Sequence, residues 1–337
     1  MGQAAGRQRY GHAARAAGEP DRPRHDGAPV AGSELDIRGV RGGPGVSAET
    51  IIGVDLGGTK VKVGVVAGGA VSRAISRPVS ANAAERVVLD EIIEAIAELF
   101  DDRVVGIGCG VPSVVDVETG TVFEVENIPS WKRVPLKAVL EGRFGVPTYV
   151  NNDANAFAVG EHCFGSGRAF RDLVGMTLGT GLGTGVIIDG RLHSGRNCCA
   201  GEIGAMPHKG MTVEDYCAGR FFLREGGIGG DVAFERARAG DAAAIALFER
   251  FGRELAAAVM IACYAYDPQA VILGGSIAAA FDVFEASMRE GLAGFAYPHV
   301  IERLVIEPSR LTDAAVLGAA ALYVDAIARR GGGESTT

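Results

Sequence analysis

IIGVDLGGTKVKVGVV, residues 51–66, sets two apolar runs on either side of a paired-glycine turn. The pattern predicts a strand, a tight turn and a returning strand. Gly57 and Gly58 let such a turn offer backbone N–H groups to phosphate oxygens with no Cβ in the way. Thr59 adds a hydroxyl donor and Lys60 a cation. Asp55 ends the first apolar run, a place suited to holding Mg2+ through water, since that ion keeps several of its waters. A plain hairpin with a solvated aspartate would explain the glycines but not an acid closing a buried strand.

Two later loops repeat the theme. LVGMTLGTGLGTGVIIDG, residues 173–190, is again strand, glycine-rich turn and strand, and its four glycines and two threonines between Gly179 and Gly185 exceed what a plain turn requires. Thr180 and Gly181 are its phosphate candidates. Gly274 and Gly275 follow the apolar run AVIL and precede a helical pattern, the setting for backbone contact with a nucleotide. None of these loops matches GxxxxGK[ST], and none carries the dinucleotide pattern GxGxxG leading into a helix.

The rest of the chain alternates in the manner of an α/β protein. Helical spacing covers residues 85–100, 242–266 and 311–328, with Phe248, Phe251, Leu255, Val259 and Ile261 on one side of the second. VVGIGCGV from Val104 and PTYV from Pro147 read as buried strands, and the second delivers its end onto Asn151, Asn152 and Asp153. Two similar units suggest duplicated lobes, residues 49–155 with 313–329 and residues 156–312. Residues 1–48, rich in Gly, Ala, Arg and Pro, read as a leader, and 330–337 as a tail.

A carboxylate at a strand end facing a cleft suits a general base, and Asp153 is that candidate. Asn152 can donate to and accept from hydroxyls, although helix capping by either residue is the plainer reading. Glu202 in RNCCAGE and Glu214 in TVEDYC could each accept from adjacent hydroxyls of a polyol; a surface acid and a helix N-terminal acid are the competing readings. Asn127 in ENIPSW is a further polar candidate, and Trp131 reads as an anchor for that excursion.

A net charge of -8 gives no electrostatic reason to expect nucleic acid, and the leader lacks the apolar faces of a helix-turn-helix. No apolar run reaches membrane-spanning length. The six cysteines form no regular framework and no secretory segment is visible, so reduced thiols in the cytoplasm are expected.

Taken together, DLGGTK, ENIPSW, NNDANAFAVGE, GTGLGTGVIIDG, AGEIG, the ED of TVEDY, VILGGS and LGAAAL resemble the bacterial ROK family, roughly from Ile51 to Asp325. The family holds hexose and N-acetylhexosamine kinases and sugar-responsive repressors. The resemblance implies two actin-like, hexokinase-like (ribonuclease H-like) α/β lobes around a central cleft that takes ATP, Mg2+ and a small sugar, in a homodimer. It casts Asp153 as catalytic base and Asn127, Asn152, Glu202 and Glu214 as sugar ligands. Asp55, Gly57, Gly58, Thr59, Gly181 and Gly275 fall on the nucleotide side. The expected activity is ATP-dependent phosphorylation of a hexose, glucose first, with fructose, mannose, N-acetylglucosamine and N-acetylmannosamine as alternative acceptors; a sugar-responsive regulator and an actin-like ATPase are the competing classes. Two departures stand out. Ala205 replaces the histidine that commonly follows GEIG, with His208 as a minor candidate to reach the sugar instead. The cysteine-rich zinc motif is also missing: residues 208–214, HKGMTVE, keep only its final glutamate, so no structural zinc is expected.

Overall fold

The structure, a computed structural model, describes residues 49–331. The expected leader 1–48 and the end of the expected tail, 332–337, lie outside the described residues. The first half runs β1 (Thr50–Leu56), β2 (Lys60–Ala67), β3 (Ala70–Pro78), α1 (Glu85–Ala97), β4 (Val104–Val111), β5 (Val114–Asp116), β6 (Thr121–Phe123), β7 (Arg133–Val134), α2 (Leu136–Phe144), β8 (Thr148–Asn152) and α3 (Asp153–Phe164). The second runs β9 (Leu173–Leu178), β10 (Leu182–Ile188), β11 (Arg191–Leu192), β12 (Pro207–His208), β13 (Met211–Thr212), α4 (Val213–Cys217), α5 (Gly219–Gly226), α6 (Gly230–Arg238), α7 (Ala242–Tyr266), β14 (Ala270–Gly274), α8 (Phe281–Leu292), α9 (Pro298–Arg303), β15 (Val305–Pro308) and α10 (Ala314–Gly331).

Each half builds a five-stranded sheet, ordered β3-β2-β1-β4-β8 and β11-β10-β9-β14-β15. In both, the opening hairpin is antiparallel while the last three strands are parallel. The duplication expected from two glycine hairpins is thus a duplication of topology, strand for strand. α1 covers the first sheet with Val88, Leu89, Ile92, Ala95 and Ile96. α7 buries Phe248, Phe251, Leu255 and Val259 in the second core, but the stripe continues through Ala262 while Ile261 is only partly buried, because the 3.6-residue period carries position 261 off the face. Trp131 is fully buried beside β6 and β7, which is the anchoring role expected of it.

The two terminal helices change places. α3 follows the first sheet yet packs on β9 and β10, and α10 follows the second sheet yet packs on β1 and β4; the two also pack on each other. Strand glycines make room for this. A Cβ on Gly185 would stand 2.5 Å from the Ala154 carbonyl oxygen and 2.6 Å from the Ala158 Cβ, which no side chain tolerates. Half of the glycine surplus in the 179–185 stretch is therefore explained by helix seating: Gly183 and Gly185 lie inside β10, and only Gly179 and Gly181 flank its turn. α10 starts three residues later than its apolar spacing suggested, since Thr312 and Asp313 form a turn, with Asp313 at φ 55°.

The seam gives a direct test. A Cβ at Gly318 would lie 2.6 Å from the Ala156 carbonyl oxygen, whereas one at Gly142 on α2 meets nothing within 4 Å. Gly318→Val should cost about 1–3 kcal/mol as overpacking, and Gly142→Ala should gain up to about 1 kcal/mol as helix propensity. Paired thermal melts read the contrast; equal melting temperatures for the two variants would refute the seam.

Candidate active site

Parallel strands of both sheets end toward a cavity of about 720 Å³, whose walls include Asp55, Asp153, Thr177, Gly274, Gly275 and Phe281. The first sheet sets the two acids side by side. Asp55 pairs in register with Gly110 on β4, and Gly110 pairs with Asn151 on β8, so Asp55 and the Asn151–Asp153 segment reach the same sheet edge. Asp153 is the first residue of α3. Asn152 is its N-cap: the side-chain oxygen accepts from the Ala154 N–H at 2.9 Å and from the Asn155 N–H at 3.4 Å. Its amide nitrogen donates to the Ser113 carbonyl oxygen at 3.4 Å. The capping reading of Asn152 is therefore correct, and capping aims the Asp153 carboxyl toward the cavity.

Asn151, which no motif argument singled out, holds this corner from beneath. Its side-chain oxygen accepts from the Asn152 N–H at 2.8 Å, from Asn155 Nδ2 at 2.9 Å and from Cys198 Sγ at 3.1 Å, while its own Nδ2 donates to Ser194 at 3.1 Å. Three asparagines within five residues were the available signal. Types alone do not say which caps, which scaffolds and which faces ligand.

The acids feel one another. Asp153 meets solvent through the cleft, but surrounding protein strips enough water from its carboxyl to push its pKa up to about 6, against the pull of the Ala154 N–H. The charges of Asp55 and Glu202 push the same way. Burial also raises Asp55, with Lys62 and Lys60 opposing it, and raises Glu202, with the charge of Glu214 adding to the effect. Asp55, Asp153, Glu202 and Glu214 thus form one electrostatic series, although Glu202 and Glu214 are not among the cavity's lining residues. A single strand-end carboxylate at Asp55, desolvated and facing open space, fits a cation that keeps its own waters.

The remaining candidates sit around this series. The β1–β2 turn is closed by the Gly57 N–H on the Lys60 carbonyl at 2.9 Å; Thr59 and Lys60 are exposed, outside the cavity walls. Gly58 lies against Asn127, where a Cβ would stand 2.6 Å from the Asn127 Cβ, so the turn and the ENIPSW excursion meet. Gly179 and Gly181 close the second turn at 3.1 Å with Thr180 exposed between them. Gly181 abuts Glu214, whose carboxylate accepts from the Leu182 N–H at 3.4 Å and pairs with Arg220 at 2.9 Å. Gly275, at φ 83°, turns the chain out of β14 against the Leu178 carbonyl, which only glycine permits. His208 faces Glu254 at 3.5 Å and the Tyr216 ring. Among the described residues no group of three or more His, Cys, Asp and Glu is arranged to hold a metal; Cys198 and Cys217 belong to different cores. Thr177, Phe281 and Ser309 also line the cavity, and no glycine motif marked them.

Two sheets of one topology, exchanging helices around a cleft that carries acids on one wall and a glycine turn on the other, define an actin-like, hexokinase-like fold. The chain belongs to the ROK family, whose profile matches residues 51–326. It is 33% identical to a glucokinase of Thermotoga maritima over 82% of this chain and 98% of that one. Among solved structures it resembles a ROK-family glucokinase of Streptomyces griseus in complex with glucose and AMPPNP (TM-score 0.67, 32% identity, 81% of this chain and 98% of that one). It also resembles a putative sugar kinase of Cytophaga hutchinsonii (TM-score 0.73, 26% identity, 82% and 99%).

The electrostatic series predicts a titration. A carboxyl near 6 in the folded chain and about 3.9 in the unfolded one binds its proton more tightly when folded, so this group's contribution to stability falls as pH rises through that window. Carbon-13 NMR of the Asp153 carboxyl should show a midpoint near 6 that drops in Asp55→Asn. A midpoint unmoved by that change would show that the two carboxyls do not interact.

Proposed function

We propose that this ATP-dependent sugar kinase takes glucose and transfers the γ-phosphoryl group of ATP to its 6-hydroxyl. The observation that carries the reading is the Asp153 carboxyl, held at a helix N-terminus on a cavity wall with a pKa of about 6. At neutral pH it is ionised and still basic enough to take a hydroxyl proton, the compromise a general base needs. Asp153 accepts the proton of the primary alcohol as that oxygen attacks the γ-phosphorus, and the bond to the bridging oxygen of ADP breaks. Asn127, Glu202 and Glu214 hold the other hydroxyls, and Asn152 contributes by fixing the helix start. The turn at Gly57–Lys60, the turn at Thr180–Gly181 and the Gly274–Gly275 corner supply N–H groups for the phosphates. Asp55 would hold Mg2+ through its waters, and that ion would neutralise charge on the phosphate oxygens.

The helix exchange supports lobes of residues 49–155 with 313–329 and of 156–312, since it joins α10 to the first sheet and α3 to the second. Closure of these lobes over the sugar would exclude water and limit idle ATP hydrolysis. Among the described residues no helix is long and apolar enough to cross a membrane. A cytoplasmic homodimer is part of the same reading, and the net charge of -8 gives nucleic acid no electrostatic pull.

Coupled ADP release across a panel of hexoses and N-acetylhexosamines tests the reading. Turnover should depend on sugar and rank glucose first, whereas sugar binding without turnover would favour a regulator. Asp153→Asn should lower kcat at least about 100-fold, within the range of positioned acid–base groups. The acid limb of kcat/KM should bend near 6, where the free enzyme's base gains its proton. An Asp153→Asn variant that turns over at nearly the wild-type rate with saturating sugar and magnesium-ATP removes Asp153 from this role.

A further inference from the structure

α4 carries Glu214 yet is only five residues long, too short to persist without outside support. Val213 and Cys217 seat its inner face in the second core, and a capping box between Thr212 and Asp215 starts it. Its outer face is held by a different device, in the place where the resemblance would put a cysteine-rich metal knot. The Tyr216 ring has the Arg224 guanidinium 4.3 Å from its centroid, the Lys209 ammonium at 5.5 Å and the His208 ring edge-on at 5.2 Å. Its hydroxyl donates to the Lys209 carbonyl at 3.3 Å. Arg224 on α5 donates to the Asp215 carbonyl at 2.8 Å. Glu254 on α7 accepts from Lys209 Nζ at 2.7 Å and faces His208, while its backbone carbonyl accepts from Cys217 Sγ at 3.2 Å.

We propose that Tyr216, Arg224 and Glu254 form a cation–π and ion-pair clamp that fixes α4 to α7 and so positions Glu214 for the sugar. The two cations share one ring and the carboxylate neutralises one of them, which locks the β12–β13 hairpin, α4 and α5 to the long helix. A hollow of about 200 Å³ lies beside the ring, lined in part by Tyr216, Arg224, Glu225 and Glu254, so an unclamped α4 has space to shift. Such a shift would carry the Glu214 carboxylate away from the Leu182 N–H and out of line with Glu202. Tyr216 and Glu254 are positioning residues: they act through Glu214. The inference rests on the sugar-binding role assigned to Glu214.

The test is steady-state kinetics on Tyr216→Leu, Tyr216→Phe, Glu254→Gln and Glu214→Gln, with KM measured separately for glucose and ATP. Tyr216→Leu and Glu254→Gln should raise the glucose KM about tenfold while kcat and the ATP KM stay within about twofold. Tyr216→Phe, which keeps the ring, should remain close to wild type. That pattern separates positioning from general loosening, which would raise both KM values and lower kcat together. Glu254→Gln preserves shape and keeps the test alive if Tyr216→Leu does not fold. If Glu214→Gln raises the glucose KM but Tyr216→Leu and Glu254→Gln do not, the clamp is wrong and the sugar role stands. If Glu214→Gln leaves the glucose KM unchanged, the role of Glu214 fails and the clamp fails with it.

Discussion

The contact between α3 and α10 is the constraint on which the molecule turns. Each helix closes the sheet of the other half, and the two cross where Gly160 and Gly318 let their backbones approach. Helices that meet so closely leave no slack at their crossing, so a change of volume on either one is felt by the other. The exchange brings both sheets edge-on to one cleft, with their parallel strands ending there. It also explains why glycines recur inside strands: at Gly108 and Gly185 any Cβ would strike the seated helix. Open α/β sheets bind ligands beyond the carboxyl ends of their strands, and here two such ends share one space.

From that seam follows the chemistry of Asp153. α3 begins where β8 ends, so the residue that starts the helix also stands on the cleft wall. Two influences oppose each other there. The helix N-terminus and the Ala154 N–H favour the ionised carboxyl, while loss of water and the charges of Asp55 and Glu202 disfavour it. The second influence prevails, leaving a pKa of about 6. Neighbouring polar groups set the geometry: Asn152 is spent on the cap, and Asn151 ties strand, helix and the Cys198 loop into one buried knot. On the opposite side Glu161, fully buried, accepts from Ser309 at the end of β15 and from the Ser166 N–H at 3.0 Å, joining α3 to the second half of the cleft.

A different kind of support holds the opposite flank of the site. α4 has neither length nor a large apolar face, so its orientation depends on charges and one ring. Such contacts are individually modest, and exposed ion pairs contribute little each. What matters is that several converge on Tyr216 and Glu254 at once, and that together they tie the β12–β13 hairpin, α5 and α7 to α4. The half-buried carboxylate of Glu214, paired with Arg220 and touched by the Leu182 N–H, is the tip of that assembly.

The sequence by itself determined the local vocabulary: the strands around Asp55, the helix behind Asp153, the glycine corner at Gly275 and the doubled hairpin that announced two lobes. These were legible because alternation, helical period and glycine turns are properties of neighbouring residues. It could not tell that Gly183 and Gly185 seat a helix instead of lining a phosphate turn, since the clashing atoms of Ala154 and Ala158 come from a distant segment. Nor could it decide whether Asn152 caps the helix, or show that Asn151 ties the corner from beneath, since both depend on where a strand end meets a helix start. The exchange of α3 and α10, the shared field of four carboxylates and the seating of Tyr216 between the β12–β13 hairpin and α5 were decided by tertiary structure alone. Burial, charge interaction and close packing depend on which surfaces meet, and chain order does not encode that in any short window.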